Sequence, residues 1–159
     1  MNIFSKYFGS LETNVDTIED FVDGTTATPT ALKREVGKTQ ILEVSVTAAA
    51  NAGVTTIATI TTRPCLIKSI VLRSDGTTTE DLTSAAIEGG ASQVVEFIST
   101  AEAVRANLDA ADKQVYCVGA VRLAATKTIT IDLQGTEATA VDLTVTIEYE
   151  SCVDGGYLV

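Results

Sequence analysis

Histidine and tryptophan are both missing from this chain of 159 residues. Without histidine there is no Ser-His-Asp triad, no Cys-His pair and none of the zinc ligand sets that need imidazole. Without tryptophan a sugar-binding cleft lacks its broadest stacking platform. Aromatics are scarce altogether, four Tyr and four Phe. The three cysteines, Cys65, Cys117 and Cys152, form no CxxC pair and are odd in number, which fits a reducing compartment. Cys117 falls in an apolar stretch and reads as a small buried hydrophobe. Neither a Gly-x-Gly-x-x-Gly run nor a P-loop lysine occurs, so Gly89-Gly90 is no phosphate cradle. That pair reads as a tight bend, or as a place where another backbone comes close. No apolar run reaches the roughly 18 residues of a membrane helix. The opening MNIFSKYFGSLETNVD lacks the apolar core of a secretory signal.

Basic residues are the minority: 11 Lys and Arg stand against 21 Asp and Glu, a net charge of −10. The acids are spread along the chain. This disfavours nucleic acid and an anionic membrane as partners, because phosphate contacts need clustered cations. Lys33, Arg34 and Lys38, with Glu35 among them, suit an acidic neighbour, a second copy included. Adjacent acids such as Glu19-Asp20 and Glu80-Asp81 read as solvated surface, since a glycosidase pair must face across a cleft. Asp75, Glu80, Asp81 and Glu88 gather around one segment, and oxygen-rich loops bind calcium. The alternation of an EF-hand is absent there, so the segment reads as a turn held by its own side chains. The expectation is a chain with no catalytic residue, no metal site and no cofactor, and hence not an enzyme.

What the chain has in quantity is strand signal. Hydrophobic residues make up 45% and charged residues 20%, a globular balance for one domain. Threonine is abundant, at 25 residues, and its branched Cβ suits a half-wet strand. The clearest stretch is Thr139 to Glu150, TAVDLTVTIEYE. Val141, Leu143, Val145, Ile147 and Tyr149 fall on one face, while Asp142, Thr144, Thr146, Glu148 and Glu150 fall on the other. Further strands are predicted near 40–47, 54–62, 65–73, 93–98, 114–123 and 127–133. The segment 65–73, CLIKSIVLR, is apolar on both faces and reads as central. Residues 77 to 91 read as a loop too long for a hairpin and therefore as a contact element. Ser99 and Glu102 match a capping box, so a short helix is expected from there, lined by Ala101, Val104 and Leu108. About seven short strands without a βα rhythm predict a mainly β fold. The architecture expected is an antiparallel β-sandwich, jelly-roll-like, with one short internal helix and an extended N-terminal arm.

The arm is residues 1–39 and the sandwich 40–159. Three of the eight aromatics, Phe4, Tyr7 and Phe8, lie in the first eight residues. Leu11, Val15, Ile18 and Val22 follow at helical spacing, with Gly24 as a stop. The later strands already supply a core, so these apolar side chains need a home of their own or on a neighbour. They are the candidate partner-binding residues, together with Leu82 and Ile87 of the 77–91 segment. The terminal Tyr157-Leu158-Val159 raises the same question.

A small acidic β-sandwich with Thr/Ala/Val-rich strands and an extended arm resembles virion proteins of tailed phages and other icosahedral viruses. The nearest classes in style are head decoration or cement proteins and small jelly-roll capsid proteins. The resemblance runs over 40–150 in strand style and over 1–39 in layout, and it carries no diagnostic motif. It implies a many-copy shell protein made in the host cytoplasm and located in the virion. It also implies a homo-oligomer, a trimer before other states, clamped to capsid proteins by its arm and loops. The competing reading is a carbohydrate- or receptor-binding sandwich from a phage fibre or tail.

Overall fold

A computed structural model describes residues 37–76, 81–90, 95–153 and 155–159. The candidate arm residues Phe4, Tyr7, Phe8, Leu11, Val15, Ile18 and Val22 lie outside these described residues. Among the described residues nine strands follow in chain order. They are β1 (Thr39–Val46), β2 (Gly53–Thr61), β3 (Cys65–Ser74), β4 (Leu82–Gly90), β5 (Val95–Ile98), β6 (Gln114–Leu123), β7 (Thr128–Gly135), β8 (Leu143–Ser151) and β9 (Tyr157–Leu158).

Two antiparallel sheets hold them. The first runs β1-β8-β3-β6 and the second β5-β4-β7-β2-β9. Strand β1 pairs with β8, β2 with β7, β3 with β6 and β4 with β5, so each couple of labels adds to nine. That is the order produced when one long hairpin is rolled up on itself. The extra pairings β3–β8 and β4–β7 close the roll into two sheets. The result is an eight-stranded jelly roll with β9 added beside β2.

The core lies between the sheets. From the first come Ile67, Ile70, Leu72, Val145 and Ile147, and from the second Ile60, Ile87, Ile129, Ile131 and Leu133, all buried. Burial of each such aliphatic side chain is worth roughly 1.5–3 kcal/mol. The β8 pattern holds in full, with Val141, Leu143, Val145, Ile147 and Tyr149 all buried. Strand β3 is central, as its two-faced apolarity predicts. Gly135 sits where a Cβ would meet the Asp81 and Ala50 carbonyl oxygens at 2.5 and 2.8 Å, so the start of β4 can close onto β7 only over glycine.

Two expectations need correction, and one open question is answered. Residues 82–90 are not loop but strand β4, an interior strand of the second sheet. Its sequence, LTSAAIEGG, is small and glycine-ended, a poor strand former on propensity alone. It is accepted because a slender strand fits there: a Cβ on Gly89 would stand 2.6 Å from the Phe97 ring. Second, Ser99 and Glu102 do form their reciprocal cap, with Ser99 N–H donating to Glu102 Oε2 at 2.9 Å and Glu102 N–H to Ser99 Oγ at 3.3 Å. No α-helix follows it. Ala85 N–H donates to Ala103 O at 2.9 Å, Ser84 bridges Val104, and Val104 is extended. The sheet therefore claims the backbone that a helix would use, and only a single 3-10 turn, Arg105–Asn107, remains. The open question was the apolar tail, and its Tyr157-Leu158 pair packs on its own domain while Val159 stays exposed. Leu158 is buried opposite Ile60, and its N–H donates to the Tyr149 hydroxyl, which in turn donates to Gln40 Oε1.

Candidate interaction surface

Of the partner-binding residues predicted within the described residues, Leu82 and Ile87 are core. Their exposures are 1% and 0%, because β4 turns them inward, so they offer nothing to a partner. The surface that stands out instead was read only as a strand, β6.

Strand β6 is an edge strand, paired with β3 alone. Its side chains alternate, although Gly119 is exposed along with its neighbours and the pairing with β3 shifts register where Gly119 and Ala120 pass Lys68. Val115, Cys117 and Val121 face inward and are half-buried against the core. Tyr116, Val118 and Ala120 face outward and are exposed, Tyr116 at 66% and Val118 at 75%. Registry with β3 places Tyr116 beside Val71 and Val118 beside Ser69, so the apolar stripe continues onto the next strand. From Val115 to Val121, VYCVGAV, no residue is charged. An exposed ten-residue edge whose central seven residues carry no charge is a template for another strand, and soluble proteins usually blunt such edges.

A hollow of about 500 Å³ opens at the start of β6, between the 3-10 turn and Gln114 to Tyr116. Its charged groups are Glu102 and Lys113. Glu102 is held by Ser99, whose backbone and hydroxyl bonds keep its carboxyl below the ordinary value. Lys113 donates to Ala106 O at 2.8 Å and pairs with Asp109, whose carboxyl it also holds down. Both are committed to local structure, so the hollow has shape but no poised acid or base.

The acidic segment near Asp75 resolves in the same way. Asp75 accepts from Arg73 at 2.8 Å and from the Thr144 hydroxyl, and Ser74 Oγ donates to Gly76 O at 2.9 Å. Among the described residues no three His, Cys, Asp or Glu side chains converge as metal ligands. Cys65 is fully buried, and burial together with the nearby Cys152 pushes its thiol up to about 11. Cys117 is half-buried on β6 rather than enclosed.

An antiparallel jelly roll of two sheets defines the class of this domain. No protein-family model matches the chain, and no curated protein matches it. Among solved structures it is similar to a chain in the capsid asymmetric unit of cyanophage Pam1. The TM-score is 0.50 at 12% identity, covering 72% of this chain and 86% of that one. Chains in two other phage capsids are also similar. For Helicobacter pylori phage KHP30 the TM-score is 0.46 at 11% identity, covering 77% and 98%; for Ralstonia phage GP4 it is 0.42 at 12% identity, covering 86% and 96%. The resemblance to virion proteins is thus one of fold.

Proposed function

We infer that this protein is a non-enzymatic structural component of a phage virion, a capsid decoration or cement protein or a minor capsid protein. The observation that carries this reading is a rigid jelly roll, of the fold found in the Pam1 capsid, that presents a bare apolar edge. Its partners are capsid proteins and further copies of itself, three copies being the arrangement the resemblance implies. Neither nucleic acid nor membrane is a partner on this reading, and the protein resides in the virion after synthesis in the host cytoplasm.

The mechanism is physical. The sandwich serves as a stiff block. Residues 1–39 serve as an arm, and Phe4, Tyr7, Phe8, Leu11, Val15, Ile18 and Val22 bury apolar surface on a neighbour. Individually weak contacts repeated over a lattice add through effective concentration. Deletion of residues 1–22 tests the arm. The shortened protein is expected to keep its β-sheet circular dichroism while its mass by light scattering falls below that of the full-length oligomer. An unchanged mass would sink the arm-based reading.

A further inference from the structure

We propose that β6 is a self-pairing edge, on which the β6 strand of a second copy lies antiparallel about a two-fold axis through Val118. The inference rests on reading this edge as a contact surface and goes further by naming what covers it.

The four sheet edges are unequally protected. Strand β5 has four residues and β9 two, too short to template much. Strand β9 covers only Ile60 and Thr61 of β2, so β2 is bare from Gly53 to Ala58, but that stretch exposes a single large apolar side chain, Val54. Strand β1 has eight but carries Glu43 outward near its middle, so self-pairing would set like carboxylates side by side. Strand β6 has ten residues, spans roughly 33 Å at the usual rise, and has no charge over its central seven. Two copies that each carry a net charge of −10 repel at long range, so a contact between them must come where acids are absent. From Lys113 to Ile131 there is no Asp or Glu.

The sequence of β6 also fits its own reverse. With Val118 opposite Val118 of the second copy, Tyr116 meets Ala120, Cys117 meets Gly119 and Val115 meets Val121. Each bulky residue on a face then meets a small or matching one. The sole charge in β6, Arg122, falls opposite the neutral Gln114, beside the hollow whose rim carries Glu102. No like charges face each other across the pair, and the contact is isologous, as a two-fold requires. Directly opposed residues in such a ladder lie within disulfide reach when both become cysteine.

Two substitutions in the full-length protein test this. Val118 is exposed, so Val118→Lys leaves the fold intact and places two cations face to face on the axis. Its mass by light scattering should be half that of the unaltered protein at equal concentration, whatever the arm contributes. In a Cys117→Ser, Cys152→Ser background, Val118→Cys treated with diamide should give a covalent dimer at least tenfold faster than Ser45→Cys on the outer face of β1. Tyr116→Cys alone should link slowly but should link rapidly when mixed with Ala120→Cys. Unchanged mass for Val118→Lys, or Val118→Cys no faster than Ser45→Cys, would overturn the pairing. Deleting residues 1–22 probes the arm and these variants probe the edge, so either can fail without the other.

Discussion

Strands β1 and β6 border the same sheet, yet one carries a carboxylate outward at its middle and the other runs from Val115 to Val121 without a charge. Both expose large apolar side chains: Ile41 on β1 at 70%, and Tyr116 and Val118 on β6. Apolar exposure alone therefore does not mark a contact edge. On β1, Ile41 is followed two residues later, on the same face, by Glu43, and Thr39 donates to Glu150 at 3.3 Å on the neighbouring strand. A second strand approaching β1 would have to desolvate an uncompensated carboxylate. An approach to β6 meets no such penalty. A sheet with one guarded edge and one open edge can associate in one direction only, and this limits growth into fibrils.

The largest effect should come from the strands that the two edges share. Ile147 is fully buried at the centre of β8, so Ile147→Ala should lower the unfolding free energy by about 2–5 kcal/mol in chemical denaturation. Because β8 lies between β1 and β3, protection of the β1 and β6 amides from hydrogen exchange should fall together. Loss at one edge only would mean that the sheet does not unfold as a unit.

A smaller effect should follow from exchanging the characters of the edges. Glu43→Val removes the guard on β1, and Val118→Glu installs one on β6. The first should promote association through β1. The second should weaken association at least tenfold in dissociation constant, about 1.4 kcal/mol, by sedimentation across a concentration series. Raised salt should strengthen β6 pairing in the unaltered protein, since it screens the repulsion between two acidic copies. If Val118→Glu associates as the unaltered protein does, the difference between the edges has no consequence.

The smallest effect is invisible at neutral pH. The buried Cys65 thiol holds its proton to about 11, whereas its ordinary value is 9.0. The unfolded chain therefore loses that proton first, and stability should fall as pH rises from 9 to 11. Cys65→Ser should flatten that slope in thermal melts at pH 8 and pH 10.5. At pH 8 a thiol reagent should reach Cys117 on the open edge well before Cys65 in the shared middle. The Cys117 rate should slow as protein concentration rises, if a second copy covers β6.

Much of this architecture was legible along the chain where a face repeats locally. The five alternating apolar residues from Val141 to Tyr149 all point inward, because a half-buried strand needs only period two. The same logic located β1, β2, β3, β6 and β7 to within a residue or two. What escaped was non-local. Strand β4 is extended because β7 and β5 flank it and because Gly89 and Gly135 give room, not because LTSAAIEGG prefers to be. The cap at Ser99 and Glu102 is real, yet the helix it announces yields to sheet bonds from Ala85. Leu82 and Ile87 looked like contact residues because they were assigned to a loop. The open edge was hidden for the same reason: VYCVGAV reads as a strand, but its place at a border depends on which strand lies beyond it.

The rolled-hairpin order sets the schedule on which this protein can fold. Thr39 and Glu150, bonded across β1 and β8, lie 111 residues apart in the chain. During synthesis β1, β3 and β6 all emerge before β8, the strand that joins two of them. High contact order of this kind slows folding and lengthens the life of partly paired chains. For that interval the uncharged stretch from Val115 to Val121 is presented by a nascent chain that has no finished sheet behind it. On a polysome crowded with identical chains, the strand best suited to joining two mature copies is therefore also the one most prone to premature encounter.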